Sequence, residues 1–419
     1  MSSERIHYLD WLKVLIVYGI VLFHVALVFS FETWLVSNHE RSLILSAFAG
    51  FCFPWGIPAM FLIAGADAWF GLHSRSVADF LRRRFLRLVI PLVPGLLVLS
   101  PLQRFVTSSN PPPSIGTFWA FYASFFRNIH FSWTLQFISQ YWLHLWFLAY
   151  LFAITLVCAP VLVWLRKPAG RRLTSWLVAL ACRRGGVLVL AAPLVLTQLV
   201  LRPRFPAYQD WADVATYTLA FLWGAIFFSD RRFEAAIRQQ VLWLLAGGTL
   251  AMLGIGLLTY FTRIHATGDG GAQAPAQLAQ SFLWSLFVWS WLLAVLYLGI
   301  RWLNFPNRMQ RYAEESVLPV YVIHHPLVLV IASFVVTWNL GVWPKFAVIL
   351  VMVAVLTLGI YEFGVRRWRA TRLMFGLNPV APAAAGILVG RADSGPKAPQ
   401  DSSLITSDPI RPSAQSSRT

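Results

Sequence analysis

Apolar runs of about 20 residues recur along the chain, separated by short polar segments. That is the length an α-helix needs to cross the hydrocarbon core of a bilayer. Ten such runs are drawn, at 12–31, 43–65, 85–102, 141–165, 187–201, 211–228, 241–261, 281–300, 318–337 and 343–363. The pattern predicts an all-α, polytopic integral membrane protein of about ten transmembrane helices, because helices satisfy their backbone groups in lipid. The first run is too long for a signal-peptide core and has no small-residue cleavage site behind it, so it is read as a retained helix. The fifth is the shortest and contains Pro193. The domain division expected is a membrane domain over 1–377 and a tail over 378–419. That tail is rich in Ala, Pro and Ser, and is read as a disordered cytoplasmic segment with no catalytic duty.

Composition agrees with the pattern. Hydrophobic residues make up 58% of the 419 positions and charged residues 12%, against about 25% charged in a soluble domain. The formal charge of +17 suggests nucleic acid until its distribution is examined. Arg82, Arg83, Arg84 and Arg87 follow the second run, and six cations from Arg166 to Arg184 follow the fourth. Arg231, Arg232 and Arg238 follow the sixth, Arg301, Arg308 and Arg311 the eighth, and Arg366, Arg367, Arg369 and Arg372 the tenth. The alternate loops are poor in cations, with Arg41, Arg104, Arg202, Arg204 and Arg263 spread thinly. Basic flanks resist translocation, so both termini are expected in the cytoplasm. The basicity is then a topology signal with some attraction to anionic lipid, and no nucleic-acid partner is expected. Cys52, Cys158 and Cys182 show no pairing framework and are read as packing residues. The aromatic stretch TFWAFYASFF (117–126), after the turn-rich SSNPPPS, suits the membrane interface.

Polar residues inside the runs carry the chemistry. Lys13 and His24 are separated by about 20° around the first helix and roughly 16 Å along it, so one face holds a cation near its start and an imidazole deep within. Asp10, one turn before Lys13, can pair with it. A polar group at the depth of His24 costs a few kcal/mol unless it is satisfied or used; a structural histidine and a functional one both remain open. In VYVIHHPLVL, Tyr321, His324 and His325 share the ninth run. Adjacent histidines point about 100° apart, so one of the pair is expected to be functional, with His324 favoured. Pro326 can leave carbonyls free there. His144 and Trp146 open the fourth run. The second run contains Gly50, Pro54, Gly56, Pro58 and Gly65, which implies kinks or close helix approach, and Asp67 is placed at its end. No metal-binding motif, P-loop or nucleophile elbow is present.

The segments LDWLKVLIVYGIVLFH, FLIAGADAWF, FLRRRFLRLVIPLV, HLWFLAYL, VYVIHHPLVL and IYEFGVRRWRATRLMFGLNPV, in this order, resemble the membrane acyltransferase-3 family and its branch of periplasmic-glucan succinyltransferases. The resemblance spans most of residues 9–380. It implies an O-acyltransferase that moves a succinyl or acetyl group from cytoplasmic acyl-CoA to hydroxyls of a periplasmic or surface glycan. It further implies location in the bacterial inner membrane and no permanently bound cofactor. On that basis His24 is the general base or a transient acyl carrier, and Lys13, with Arg82, Arg83 and Arg84, favours the anionic donor. His324 and Tyr321 orient the thioester or assist proton transfer, while His144, Trp146 and Asp10 form the substrate-binding set. Two positions depart from the family pattern: Lys13 stands where an arginine is usual, which loses the bidentate fork, and Ala64 stands where a serine is usual. A transporter using the same histidines as a proton relay is the alternative from another class.

Overall fold

The computed structural model describes residues 6–108, 114–129, 135, 141–264 and 273–378, all within one unit, Met1–Pro379. The tail and most of SSNPPPS lie outside the described residues. Among the described residues every secondary-structure element is a helix. Helix α1 is His7–Leu27, α2 Leu43–His73 and α3 Val77–Val106. The short α4 is Phe118–Arg127, followed by α5 (Leu143–Leu165) and α6 (Pro168–Ala181). Next come α7 (Gly186–Leu201), α8 (Trp211–Phe227), α9 (Arg232–Gln239) and α10 (Val241–Ile264). The series closes with α11 (Gln273–Trp302), α12 (Arg308–Val335), α13 (Val342–Val365) and α14 (Arg369–Met374).

Eight of these are long and apolar enough to cross a bilayer, and α8 with α9 forms a further pair bent by 109°. The protein is a multi-pass membrane protein. All ten expected runs are helical, but the fifth is short. It splits into Gly186–Val189 and Ala192–Leu201, because Pro193 has no N–H to continue the first piece. Its 16 residues extend about 24 Å, less than the hydrocarbon core.

Helix α12 forms the centre of the bundle, with 78% of its spanning window buried against 22% for α13 and 17% for α10. It packs between α1 and α13, while α8 packs on α2, α5 on α3, and α10 on α11. The α2–α8 crossing is the closest. A methyl group on Gly65 would lie 1.8 Å from the Phe221 carbonyl oxygen, and one on Gly224 would lie 1.9 Å from that of Leu62. Of the expected contact glycines, Gly50 and Gly56 have open space around them. Asp67 lies inside α2 rather than at its end, since no breaker intervenes before the cap at Ser74.

The segments rich in arginine meet at one end of the bundle. There Arg166 donates to the Leu72 carbonyl (3.0 Å), Arg238 to that of Ile300 (3.4 Å), and Arg372 pairs with Glu315 (2.6 Å). We call this the basic end. At the opposite end the α1–α2 loop is pinned by Lys345 of α13, whose ammonium donates to Asn38 Oδ1 (3.1 Å) and to the Val336 carbonyl (2.9 Å). The three cysteines are free; Cys158 is buried, whereas Cys182 is exposed and is no packing residue, because it follows α6 in the basic loop.

Candidate functional site

Four imidazoles meet between α1, α5 and α12. Rings of His24 and His324 have centroids 5.1 Å apart, His24 and His325 4.8 Å. His144 stacks on His325 at 4.6 Å with 9° between planes. Both adjacent histidines of α12 therefore join the cluster. Their divergence of about 100° is accommodated because His24 lies against both and His144 closes the far side.

Hydrogen-bond partners fix the proton positions. His324 Nδ1 is 2.9 Å from the Val320 carbonyl, which only accepts, so in the neutral ring Nδ1 carries the proton and Nε2 the lone pair. That lone pair faces His24 Nδ1 at 3.2 Å. His24 Nδ1 is also 2.9 Å from the Ile20 carbonyl. Both neighbours accept, so His24 is protonated on Nδ1 and its Nε2 is left as a base. His324, His325 and His144 are buried, while His24 is partly exposed, so of the four it is the least enclosed ring.

The other rings are held as firmly. Gln103 donates from Nε2 to the Leu99 carbonyl (3.0 Å), which turns its Oε1 toward His325 Nδ1 at 2.5 Å. Gln103 follows a π turn over Gly95–Leu99, a feature common near functional sites. Pro326 supplies no N–H to the carbonyl of Val322, four residues before it, and that carbonyl accepts from His144 Nε2 (3.1 Å). His144 is thus inside the cluster, not at the outer surface, and its Nδ1 is buried without a partner. An unmet buried acceptor costs about 1–3 kcal/mol. Tyr321 donates to the His144 carbonyl, so its hydroxyl supports the backbone at His144. The neighbouring Leu143 is in the left-handed region (φ 48°), at a cost of about 1–3 kcal/mol.

Nearer the basic end, Lys13 pairs with Asp10 at 3.2 Å and with Asp67 at 3.0 Å. Loss of Lys13 would take the shared cation from two carboxylates at once, which is destabilising. Lys13 is therefore committed to two carboxylates, and with Asp67 it ties α1 to α2. Arg84 turns inward and donates to the Ala64 carbonyl (3.3 Å), whereas Arg82 and Arg83 are exposed.

Toward the opposite end lies a cavity of about 550 Å³ whose walls include Phe53, Gln198, Arg202, Tyr208, Asp213 and Trp284. None of the histidines lines it; one layer of rings intervenes. Phe53 stacks on Phe23 (6.0 Å) and contacts Tyr208 (5.2 Å), and Phe23 lies edge-on to His24 (5.2 Å). Trp146 sits behind this layer, 5% exposed, against Tyr208 and Tyr217. Sequence reasoning passed over Gln103, Arg202 and Asp213. The first is an isolated amide with no spacing signal, Arg202 was counted only as a loop charge, and Asp213, at the start of the sixth run, was not singled out. Among the described residues no group of three or more His, Cys, Asp and Glu side chains is placed to hold a metal ion.

Comparison with known proteins places this arrangement. Residues 6–362 match the family model for the acyltransferase domain of acyltransferase-3 proteins. Relatives include the glucans biosynthesis protein C of Escherichia coli O81 (strain ED1a) and that of E. coli K12, each 22% identical over 383 residues, covering 87% of this chain and 93% of theirs. No solved structure matches. Of the two classes left open by the residues, enzyme and transporter, the family model selects the first. The chain belongs to the acyltransferase-3 family and is a multi-pass membrane acyltransferase.

Proposed function

We propose that the protein transfers an acyl group, succinyl or acetyl, from acyl-CoA to a hydroxyl of a periplasmic or cell-surface glycan, from the bacterial inner membrane. The observation that carries this reading is the partly exposed His24, with its Nδ1 proton engaged by Ile20 and His324 and its Nε2 lone pair available. The basic end faces the cytoplasm in this reading, which the arginine distribution supports. Exposed Arg82 and Arg83 there suit the phosphates of the donor. The name of the E. coli relatives supports a glucan as acceptor.

In the transfer step the acceptor oxygen attacks the thioester carbonyl carbon, a C–O bond forms, and the C–S bond breaks. The hydroxyl proton passes to His24 Nε2. His24 Nδ1–H, already aimed at His324 Nε2, spreads the resulting charge, and the departing thiolate takes the proton from His24 Nε2, which restores the neutral base. A positioned base of this kind contributes roughly 10²–10⁴-fold. Mass spectrometry of glycans from cells carrying wild-type or His24→Ala protein tests this. The variant is expected to insert normally while acyl additions disappear; unchanged acyl content at normal expression refutes the assignment.

A further inference from the structure

The cavity at the end opposite the arginines has a composition the transfer step has not used. Four residues of α11 on its wall, Gln277, Gln280, Ser281 and Trp284, are spaced i, i+3, i+4 and i+7. That is one continuous helix face, in a helix whose deeper part is apolar. Amides and a hydroxyl on such a face need water or a polar solute as partner. Across the cavity, Tyr208 and Phe53 contribute further rings.

Among the described residues the only charges on the walls are Arg202 and Asp213, and they pair with each other. Arg202 also donates from Nε to Gln198 Oε1 (3.0 Å), and its guanidinium lies over the Trp284 ring (5.9 Å). Asp213 accepts from the Gln209 amide N–H (2.8 Å). The wall therefore offers hydrogen-bonding groups and aromatic faces without net charge. An anion would meet a cation already neutralised, and a cation a carboxylate already paired. Rings that can stack on the C–H face of a pyranose, beside neutral amides that can bond its hydroxyls, fit an uncharged sugar. The volume of about 550 Å³ falls within the usual range of small-molecule pockets, about 300–1,000 Å³.

We propose that this cavity is the acceptor subsite, and that it takes an uncharged saccharide stacked on Trp284 and bonded by Gln280. The inference rests on the glycan reading above and adds where the sugar sits and what charge it carries. The sugar docks one ring-layer from His24, at the Phe53–Phe23 pair, and its hydroxyl reaches Nε2 only when those two rings part.

The test is binding, independent of chemistry. Purified protein in lipid nanodiscs is titrated with a neutral glucopentaose, and with the same pentaose ending in a glucuronate. Wild-type and His24→Ala proteins should bind the neutral pentaose equally, and the glucuronate should give no gain. Trp284→Ala and Gln280→Ala should each weaken binding by at least about tenfold. Gln280 is exposed, so its variant should fold normally, as checked by circular dichroism. Wild-type affinity in both variants, absence of pentaose binding by the wild type, or a tenfold preference for the glucuronate would each overturn the proposal. Persistence of His24-dependent glycan acylation beside any of those results would show that the subsite has failed and the transferase reading has not.

Discussion

Pro326 shows how one missing N–H organises the site. The unpaired Val322 carbonyl that it leaves is the acceptor for His144 Nε2 (3.1 Å), and His144 in turn stacks on His325. Pro326→Ala restores an N–H that competes for the same carbonyl. We expect the helix to be as stable or more so by thermal unfolding, with acyl transfer falling about ten- to hundredfold as His144 loses its fixed position. Equal activity in the variant would show that His144 orientation is unimportant. The freed carbonyl was anticipated from the proline; its partner was not, because His144 is 178 positions away and only the packing of α5 on the bundle brings it there. Lys13 followed the opposite course. Its pairing with Asp10 is local and legible, three residues apart on one helix, whereas its bond to Asp67 (3.0 Å) depends on the approach of α2.

At the level of helices, hydrophobic length made all ten runs readable, because a bilayer imposes the same length on every span. The shortness of α7 was signalled by Pro193. Less visible was the α2–α8 crossing. Gly65 was one of several glycines of similar context, and nothing local separates it from Gly50 or Gly56, which face open space. The discriminating fact is Gly224, its counterpart on α8. Replacing Gly65 with valine forces side-chain atoms onto the Phe221 carbonyl, and overpacking of this kind costs about 1–3 kcal/mol. Lower yield from membranes and an earlier unfolding transition are expected. Gly56→Val should have neither effect, and equal loss in both would argue against the crossing.

Across the whole molecule, the features behind the proposed function are distributed along the bundle axis. Arginines gather at one end, the imidazoles lie between helices within it, and the uncharged cavity opens toward the other end. The family resemblance and the charge alternation made the two ends foreseeable. The cavity was hidden because its walls are assembled from α2, the α7–α8 connection and α11, and because Arg202 reads as a stray loop charge until Asp213 is beside it.

The layer formed by Phe23, Phe53 and Tyr208 has a consequence for economy of the donor. If acyl-CoA is the donor and His24 the base, as proposed, a thioester waiting beside His24 would be a target for any water molecule that the same base can activate, and stacked rings are a dry barrier against it. An enzyme so built should spend little donor while no sugar is present. Phe53→Ala opens that barrier, so the variant should release free coenzyme A without acceptor several-fold faster than wild type, as followed by thiol titration, whereas an unchanged rate of idle turnover would show that the rings guard nothing.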